Sequence, residues 1–217
     1  MTSLRIVVVD DHAVVRRGVR ALLESQPGWE VSAEATTGRE AVEVTKRLQP
    51  DIVVLDLSLP ELNGLDATRQ ILKESPRTEV LVLTMHHSEE LARNVLQAGA
   101  RGYVLKSDAD ESLVAAVDSL RQHKPFLTSK VTEFVLDDYL RRAEEDDTGS
   151  PHTALTARER ELIQLLAEGK SNKEAASVLG ISVKTIEAHR ANLMRKLHLR
   201  SLSDLVRYAI RNKIVQA

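Results

Sequence analysis

Short apolar runs alternate with longer amphipathic stretches through the first half of the chain. Leu4–Val9, Trp29–Ala35, Asp51–Leu55, Glu79–Thr84 and Gly102–Leu105 are rich in β-branched residues and leucine and are bounded by polar residues. Continuous runs of this kind predict strands buried on both faces, as in a parallel sheet. Between and after them, stretches near Val14–Ser25, Gly38–Leu48, Leu65–Ser75, Glu89–Gln97 and Glu111–Gln122 space their apolar residues for helices. Asp108-Ala109-Asp110-Glu111 places acidic side chains where a helix N-terminus favours them.

The pattern changes after residue 124. A helix is predicted from Ser129 to Arg142, followed by the acidic run Glu144–Asp147 and then Thr148-Gly149-Ser150-Pro151, which reads as a linker. From Leu155 onward every segment is helical by pattern. Thr156 and Glu159 fit a capping box, and Ser171 with Glu174 offers a second such start. Leu179-Gly180-Ile181-Ser182 is a helix stop, a tight turn and a new cap. Val183–Leu197 follows as a helix, with Leu202–Asn212 after the cap Ser201.

Five βα units imply right-handed crossovers and a doubly wound sheet with helices on both faces. The predicted fold is therefore an α/β N-terminal domain, a flavodoxin-like five-stranded parallel sheet, followed by an all-α four-helix domain containing a helix-turn-helix. The expected boundaries are 1–124, a partly helical linker over 125–152, and 153–217.

Composition narrows the function classes. The chain has 217 residues, 42% hydrophobic and 29% charged, enough for a sizeable core. Cysteine is absent, which excludes disulfides, thiolate metal sites and cysteine nucleophiles. No apolar stretch approaches the roughly 20 residues of a membrane span, and no signal segment is evident, so a cytoplasmic protein with no membrane partner is the expectation. The net charge of −2 hides an asymmetry: residues 1–124 and 125–150 carry −4 each, residues 151–217 carry +6. A basic module behind acidic sequence points to nucleic acid as the partner of that module alone, which the helix-turn-helix pattern makes double-stranded DNA.

Candidate chemistry sits at the ends of the predicted strands. Ile6–Val9 leads into Asp10 and Asp11, and Ile52–Leu55 leads into Asp56. In an open α/β sheet, ligands bind in the crevice beyond the carboxyl ends of the strands. Three carboxylates there raise one another's pKa unless a cation sits among them, and all-oxygen ligands suit Mg²⁺. Thr84 and Lys106 end or follow two more strands on the same edge, Pro60 and Gly64 bracket the loop after Asp56, and Ser58 offers a backbone carbonyl. A hydroxyl and an ammonium facing such a cluster suit a transferred phosphoryl group, with an aspartate as nucleophile.

Val9-Asp10-Asp11-His12, Leu55-Asp56-Leu57, Pro60-Glu61-Leu62-Asn63-Gly64, Leu83-Thr84 and Gly102-Tyr103-Val104-Leu105-Lys106 together resemble the receiver domain of bacterial two-component response regulators, over about Leu4–His123. The resemblance implies that Asp56 accepts phosphate from a sensor histidine kinase. It implies that Asp11 binds Mg²⁺ directly, that Asp10 assists through water, and that Ser58 adds its carbonyl. Thr84 and Lys106 contact the phosphoryl group, and Tyr103 turns inward when Thr84 moves toward it. Met85 stands where receivers more often carry a small residue, and the expectation is that Met85 and His86 slow or alter dephosphorylation.

In the basic module, Asn172–Leu179 and Val183–Leu197 make a helix-turn-helix whose second helix enters the major groove. Ile186, Leu193 and Leu197 hold its inner face, leaving Lys184, Thr185, Glu187, Ala188 and Ala191 free to face DNA. Leu155–Glu161, Ser171–Ala176 and Ser182–His189 resemble the LuxR-type domain of the NarL/FixJ family, over about Leu155–Ile214. That resemblance gives Lys184, Glu187, Ala188 and Ala191 base-reading places and puts Arg190, Arg195, Lys196 and Ser171 or Asn172 nearer phosphates. Many relatives carry a basic residue where Glu187 sits, so Glu187 is the position expected to set specificity.

The composite reading is a transcription factor whose DNA binding is controlled by phosphorylation of Asp56 and which forms a homodimer on activation. Asp108–His123 and Leu202–Asn212 are the candidate dimer surfaces. Two rivals remain. A haloacid-dehalogenase-like phosphohydrolase needs an acid–base aspartate where this chain has Ser58, and it needs a lid domain. A receiver that acts on protein rather than DNA would not use the basic helix.

Overall fold

The computed structural model describes residues 3–85, 88–128, 131–132 and 155–215. They form two compact units, one built on the N-terminal sheet and one on the C-terminal helices.

The N-terminal unit runs β1 (Leu4–Val9), α1 (Ala13–Glu24), β2 (Trp29–Ala35), α2 (Gly38–Leu48), β3 (Ile52–Leu55), α3 (Gly64–Glu74), β4 (Glu79–Thr84), α4 (Glu89–Gln97), β5 (Gly102–Leu105), α5 (Ala109–Arg121) and β6 (Phe126–Leu127). All strand pairs are parallel, in the order β2-β1-β3-β4-β5-β6. The sheet thus has one strand more than the five that the pattern predicts. Phe126 and Leu127 pair with Gly102 and Tyr103, and two residues are too few to show a period.

Both faces of the central strands are buried, which is why they read as unbroken apolar runs. Ile6, Val8, Ile52, Val54, Leu81, Leu83 and Val104 share one core with Val19 and Leu23 of α1 and Leu113, Val117 and Leu120 of α5. The alternate residues Val7, Val9, Val53, Leu55, Val80 and Val82 are equally buried, as are Ala41 of α2 and Ala67 and Ile71 of α3. The helices Gly38–Leu48 and Glu89–Gln97 form as predicted, and the other three differ from the predicted ends by one or two residues. Of the expected linker 125–152, Phe126 and Leu127 belong to the sheet as β6, while most of the predicted helix Ser129–Arg142 and residues 143–152 lie outside the described residues.

The C-terminal unit contains α6 (Ala157–Ala167), α7 (Asn172–Leu179), α8 (Val183–Lys196) and α9 (Leu202–Arg211). Each cap read from the sequence is formed. Thr156 and Ser171 make full capping boxes with Glu159 and Glu174, and Ser182 and Ser201 accept from the backbone N–H groups of Thr185 and Asp204. Gly180 ends α7 in the left-handed conformation, φ 65°, which lets the chain turn sharply into α8. Ile163, Leu165, Ala175, Leu179, Ile186, Leu193, Leu205 and Ala209 form the core. Leu197 packs at its edge.

Candidate functional site

Sheet register assembles the first site. β1 and β3 pair Val9 with Leu55, so Asp10 and Asp56 leave the sheet side by side. The Asp56 N–H donates to the Val9 carbonyl at 2.9 Å. On the other side β4 and β5 pair Thr84 with Leu105, which brings Lys106 to the same edge. This is the carboxyl-terminal crevice of the sheet, at the point where the strand order reverses.

Lys106 Nζ lies 2.7 Å from Asp10 and 2.9 Å from Asp56, and all three side chains are at most 8% exposed. Burial pushes the Asp56 carboxyl above the usual range; the Lys106 ammonium pulls it back and the Asp10 charge pushes it further up. Burial also opposes the charge on Lys106, but its two carboxylate partners outweigh this and hold the ammonium above its ordinary pKa. Thr84 is fully buried, and Tyr103 is 1% exposed, so its ring already lies inward. Burial pushes the Tyr103 hydroxyl up to about 12. Met85 is 71% exposed. His86 lies outside the described residues.

The donor set fits a divalent ion. Asp10, Asp11, His12 and Asp56 each offer a ligand atom, all within 4.8 Å of one another. When its carboxyls are ionised, the pocket holds three negative charges against one ammonium, and hard oxygen donors suit Mg²⁺. Ser58, half-buried two residues past Asp56, brings a main-chain carbonyl to the same loop.

Two features escaped the sequence reading. His12 Nδ1 sits 2.7 Å from Asp11 and 3.3 Å from Asp10, so the imidazole faces the carboxylates. Arg16 donates through Nη1 to the Asp10 carbonyl at 2.7 Å and through Nε to Glu34 at 3.2 Å. The adjacency of His12 to the acidic pair was a usable signal. Nothing local links Arg16 to Glu34, which is 18 residues away.

The second candidate site is the surface of α8. Lys184, Thr185, Glu187, Ala188, Ala191 and Arg195 are exposed, while Ile186 and Leu193 turn inward. Arg190 and Lys196 are half-buried and engaged. Arg190 Nη1 donates to Asn172 of α7 at 3.3 Å. Lys196 Nζ donates to Glu159 of α6 at 2.8 and 3.1 Å. That bond, together with those to Thr156, holds the Glu159 carboxyl below its usual range.

The model of the response regulator receiver domain family matches residues 6–118, and that of the bacterial regulatory proteins, luxR family, matches residues 153–209. The chain belongs to the LuxR-family response regulators. This response regulator is 40% identical to the oxygen regulatory protein NreC of Staphylococcus epidermidis, over 98% of its own length and all of NreC. It is also 40% identical to NreC of Staphylococcus carnosus, over 98% of its length and 99% of that protein. Among solved structures, a LuxR-family two-component response regulator from Aurantimonas sp. SI85-9A1 is 36% identical with a TM-score of 0.61, covering 64% of this chain and 99% of that one. The Salmonella typhimurium response regulator RcsB is 27% identical with a TM-score of 0.58, covering 96% and 98%. An RcsB–DNA complex gives 27% and 0.59, covering 95% and 98%. The regulator therefore joins a receiver to a helix-turn-helix, and its role is signalling and transcription regulation rather than turnover of a metabolite. Among the described residues no helix is long and apolar enough to cross a membrane.

Proposed function

We propose that Asp56 is the phosphoacceptor of this response regulator, with a sensor histidine kinase as donor, and that α8 reads the operator. The observation that carries this reading is the buried Asp10–Lys106–Asp56 arrangement at the carboxyl edge of the sheet. An Asp56 carboxylate oxygen attacks phosphorus, the bond to the donor's imidazole nitrogen breaks, and an acyl phosphate forms. Burial strips water from the nucleophile, while Lys106 Nζ holds its carboxylate in place and offers positive charge to the phosphoryl oxygens. The Thr84 hydroxyl donates to one phosphoryl oxygen, and the inward Tyr103 ring belongs to the switch that Thr84 drives. Asp11, Asp56 and the Ser58 carbonyl would hold Mg²⁺, with Asp10 assisting through water; the bound ion supplies charge neutralisation to the transferring group.

Output falls to the exposed face of α8. Lys184, Thr185, Glu187, Ala188 and Ala191 take the base-facing places, and Arg195 the phosphate-facing one. Arg190 and Lys196 act at the same surface only by sharing or leaving their protein partners. The domain division is read as 1–124, 125–152 and 153–217, with the first residues of the middle segment adding β6 to the receiver sheet. RcsB has been solved as two dimers bound to two parallel DNAs, which supports a dimer on activation here. The basic charge of residues 151–217 favours a cytoplasmic location, where DNA and kinase are both met.

The test uses the full chain with acetyl phosphate and Mg²⁺. Wild type should gain the mass of one phosphoryl group and shift duplex DNA at lower concentration, with a marked salt dependence. Asp56→Asn should do neither. Phosphate incorporated by Asp56→Asn would overturn the assignment.

A further inference from the structure

The Asp10–Asp11 turn carries the acidic pocket, yet it lies on a loop between β1 and α1, and loops do not hold carboxylates rigidly by themselves. Both main-chain polar groups of Asp10 are tied to the end of β2. Its N–H donates to the Ala35 carbonyl at 3.2 Å. Its carbonyl accepts from Arg16 Nη1 at 2.7 Å, and the same guanidinium donates through Nε to Glu34, the neighbour of Ala35. Glu34 is held in turn by Arg20 at 2.9 Å. The Arg16 side chain is only 16% exposed. The bond from the Arg20 guanidinium, aided by Arg16 and opposed by burial, keeps the Glu34 carboxyl below its usual range.

The geometry points to Arg16 as a positioning residue for the divalent cation: it staples the acidic turn to β2 and so sets how well Asp10 and Asp11 meet the ion. The inference rests on the phosphoacceptor reading of the pocket and adds a residue that touches neither ion nor phosphoryl group. It also makes a prediction opposite in sign to simple electrostatics. A guanidinium beside the pocket repels a cation, so loss of its charge alone would tighten Mg²⁺ binding. Loss of its geometry loosens the ligands, and supporting residues of this kind are worth about tenfold in affinity or more.

The experiment titrates the full chain with Mg²⁺ by calorimetry, comparing wild type with Arg16→Ala, Arg16→Lys, Glu34→Gln and, as a charge control, the exposed neighbour Arg17→Ala. The dissociation constant should rise about tenfold in Arg16→Ala. It should rise to a similar extent in Arg16→Lys, whose single ammonium cannot span both acceptors. Glu34→Gln should show a smaller rise, and Arg17→Ala none. Phosphorylation by acetyl phosphate should then need more Mg²⁺ while reaching the wild-type rate at saturation. Unchanged or tighter binding in Arg16→Ala overturns the inference, as does wild-type behaviour of Arg16→Lys. If Arg16→Ala does not fold, Arg16→Lys and Glu34→Gln decide. Normal Mg²⁺ binding with no phosphate taken up at Asp56 would defeat the phosphoacceptor reading and leave the role of Arg16 intact; a wild-type chain that binds no Mg²⁺ would defeat both.

Discussion

Lys106 bridges Asp10 and Asp56 with a single ammonium, and the three side chains are withdrawn from solvent together. Removing one member of a buried ionic group leaves the others uncompensated, at a cost of about 3–5 kcal/mol. Lys106→Met should therefore lose about 3 kcal/mol in denaturant unfolding without divalent ions. Mg²⁺ should restore more stability to the variant than it adds to wild type, because it binds the folded pocket and supplies the missing charge. Equal stabilisation of both would mean that the ammonium and the ion do not answer the same carboxylates.

Gly64 opens α3 directly under the Asp56 loop. A Cβ there would collide with the Asp56 carbonyl oxygen and stand 2.7 Å from the Leu57 Cα, both backbone atoms that cannot step aside. Gly64→Ala should cost about 1–3 kcal/mol through overpacking. It should also slow phosphorylation of Asp56 by displacing its loop. A thermal midpoint and an acetyl phosphate rate equal to wild type would refute this.

Glu159 caps α6 and accepts from Lys196 at the end of α8. Its folded pKa is depressed, first by the bond from Lys196 and then by the Thr156 backbone. A depressed carboxyl contributes stability above its unfolded pKa of roughly 4.3, and that contribution is lost as pH falls through the lower folded value. The C-terminal domain should therefore lose stability in acid below pH ~4, and Lys196→Met should flatten that limb while costing about 1 kcal/mol near neutrality. An unaltered acid limb would show that the pair is not what holds Glu159 ionised.

Glu187 is exposed between Lys184 and Ala191 on α8. A carboxylate there accepts from cytosine N4 and repels phosphate, so Glu187→Lys should change which duplexes are selected from a random pool. Total affinity should rise and its salt dependence steepen as one phosphate contact is gained. Identical selected sequences would remove Glu187 from the specificity set.

Met85 follows the buried Thr84 and is itself largely exposed. Met85→Ala should shorten the phosphoryl half-life by opening the approach for water. The measurement is decay of the acyl phosphate after removal of the donor, and identical half-lives would dismiss the idea.

Much of this protein is legible in its sequence because its determinants are local. The strands β1, β3 and β4 are buried on both faces, so each announces itself as an unbroken apolar run, and the carboxylates, threonine and lysine stand at fixed offsets from the run ends. The caps Thr156, Ser171, Ser182 and Ser201 satisfy donors three residues away and so are written in short sequence windows. The strand β6 was not legible, since its two residues form a strand only by pairing with β5.

What tertiary structure alone decided is which charges meet. The sequence determined that Asp10, Asp56 and Lys106 lie at strand ends; the parallel register, Val9 beside Leu55 and Thr84 beside Leu105, decided that one ammonium serves two carboxylates. Likewise Lys196 and Arg190 appear in the sequence as free basic residues of α8, and only folding shows Lys196 on Glu159 and Arg190 on Asn172. Arg16 reaches Glu34 across the α1–β2 connection and grips Asp10 from behind. Periodicity records which face of an element is buried; it carries no information about which distant polar group will be waiting there.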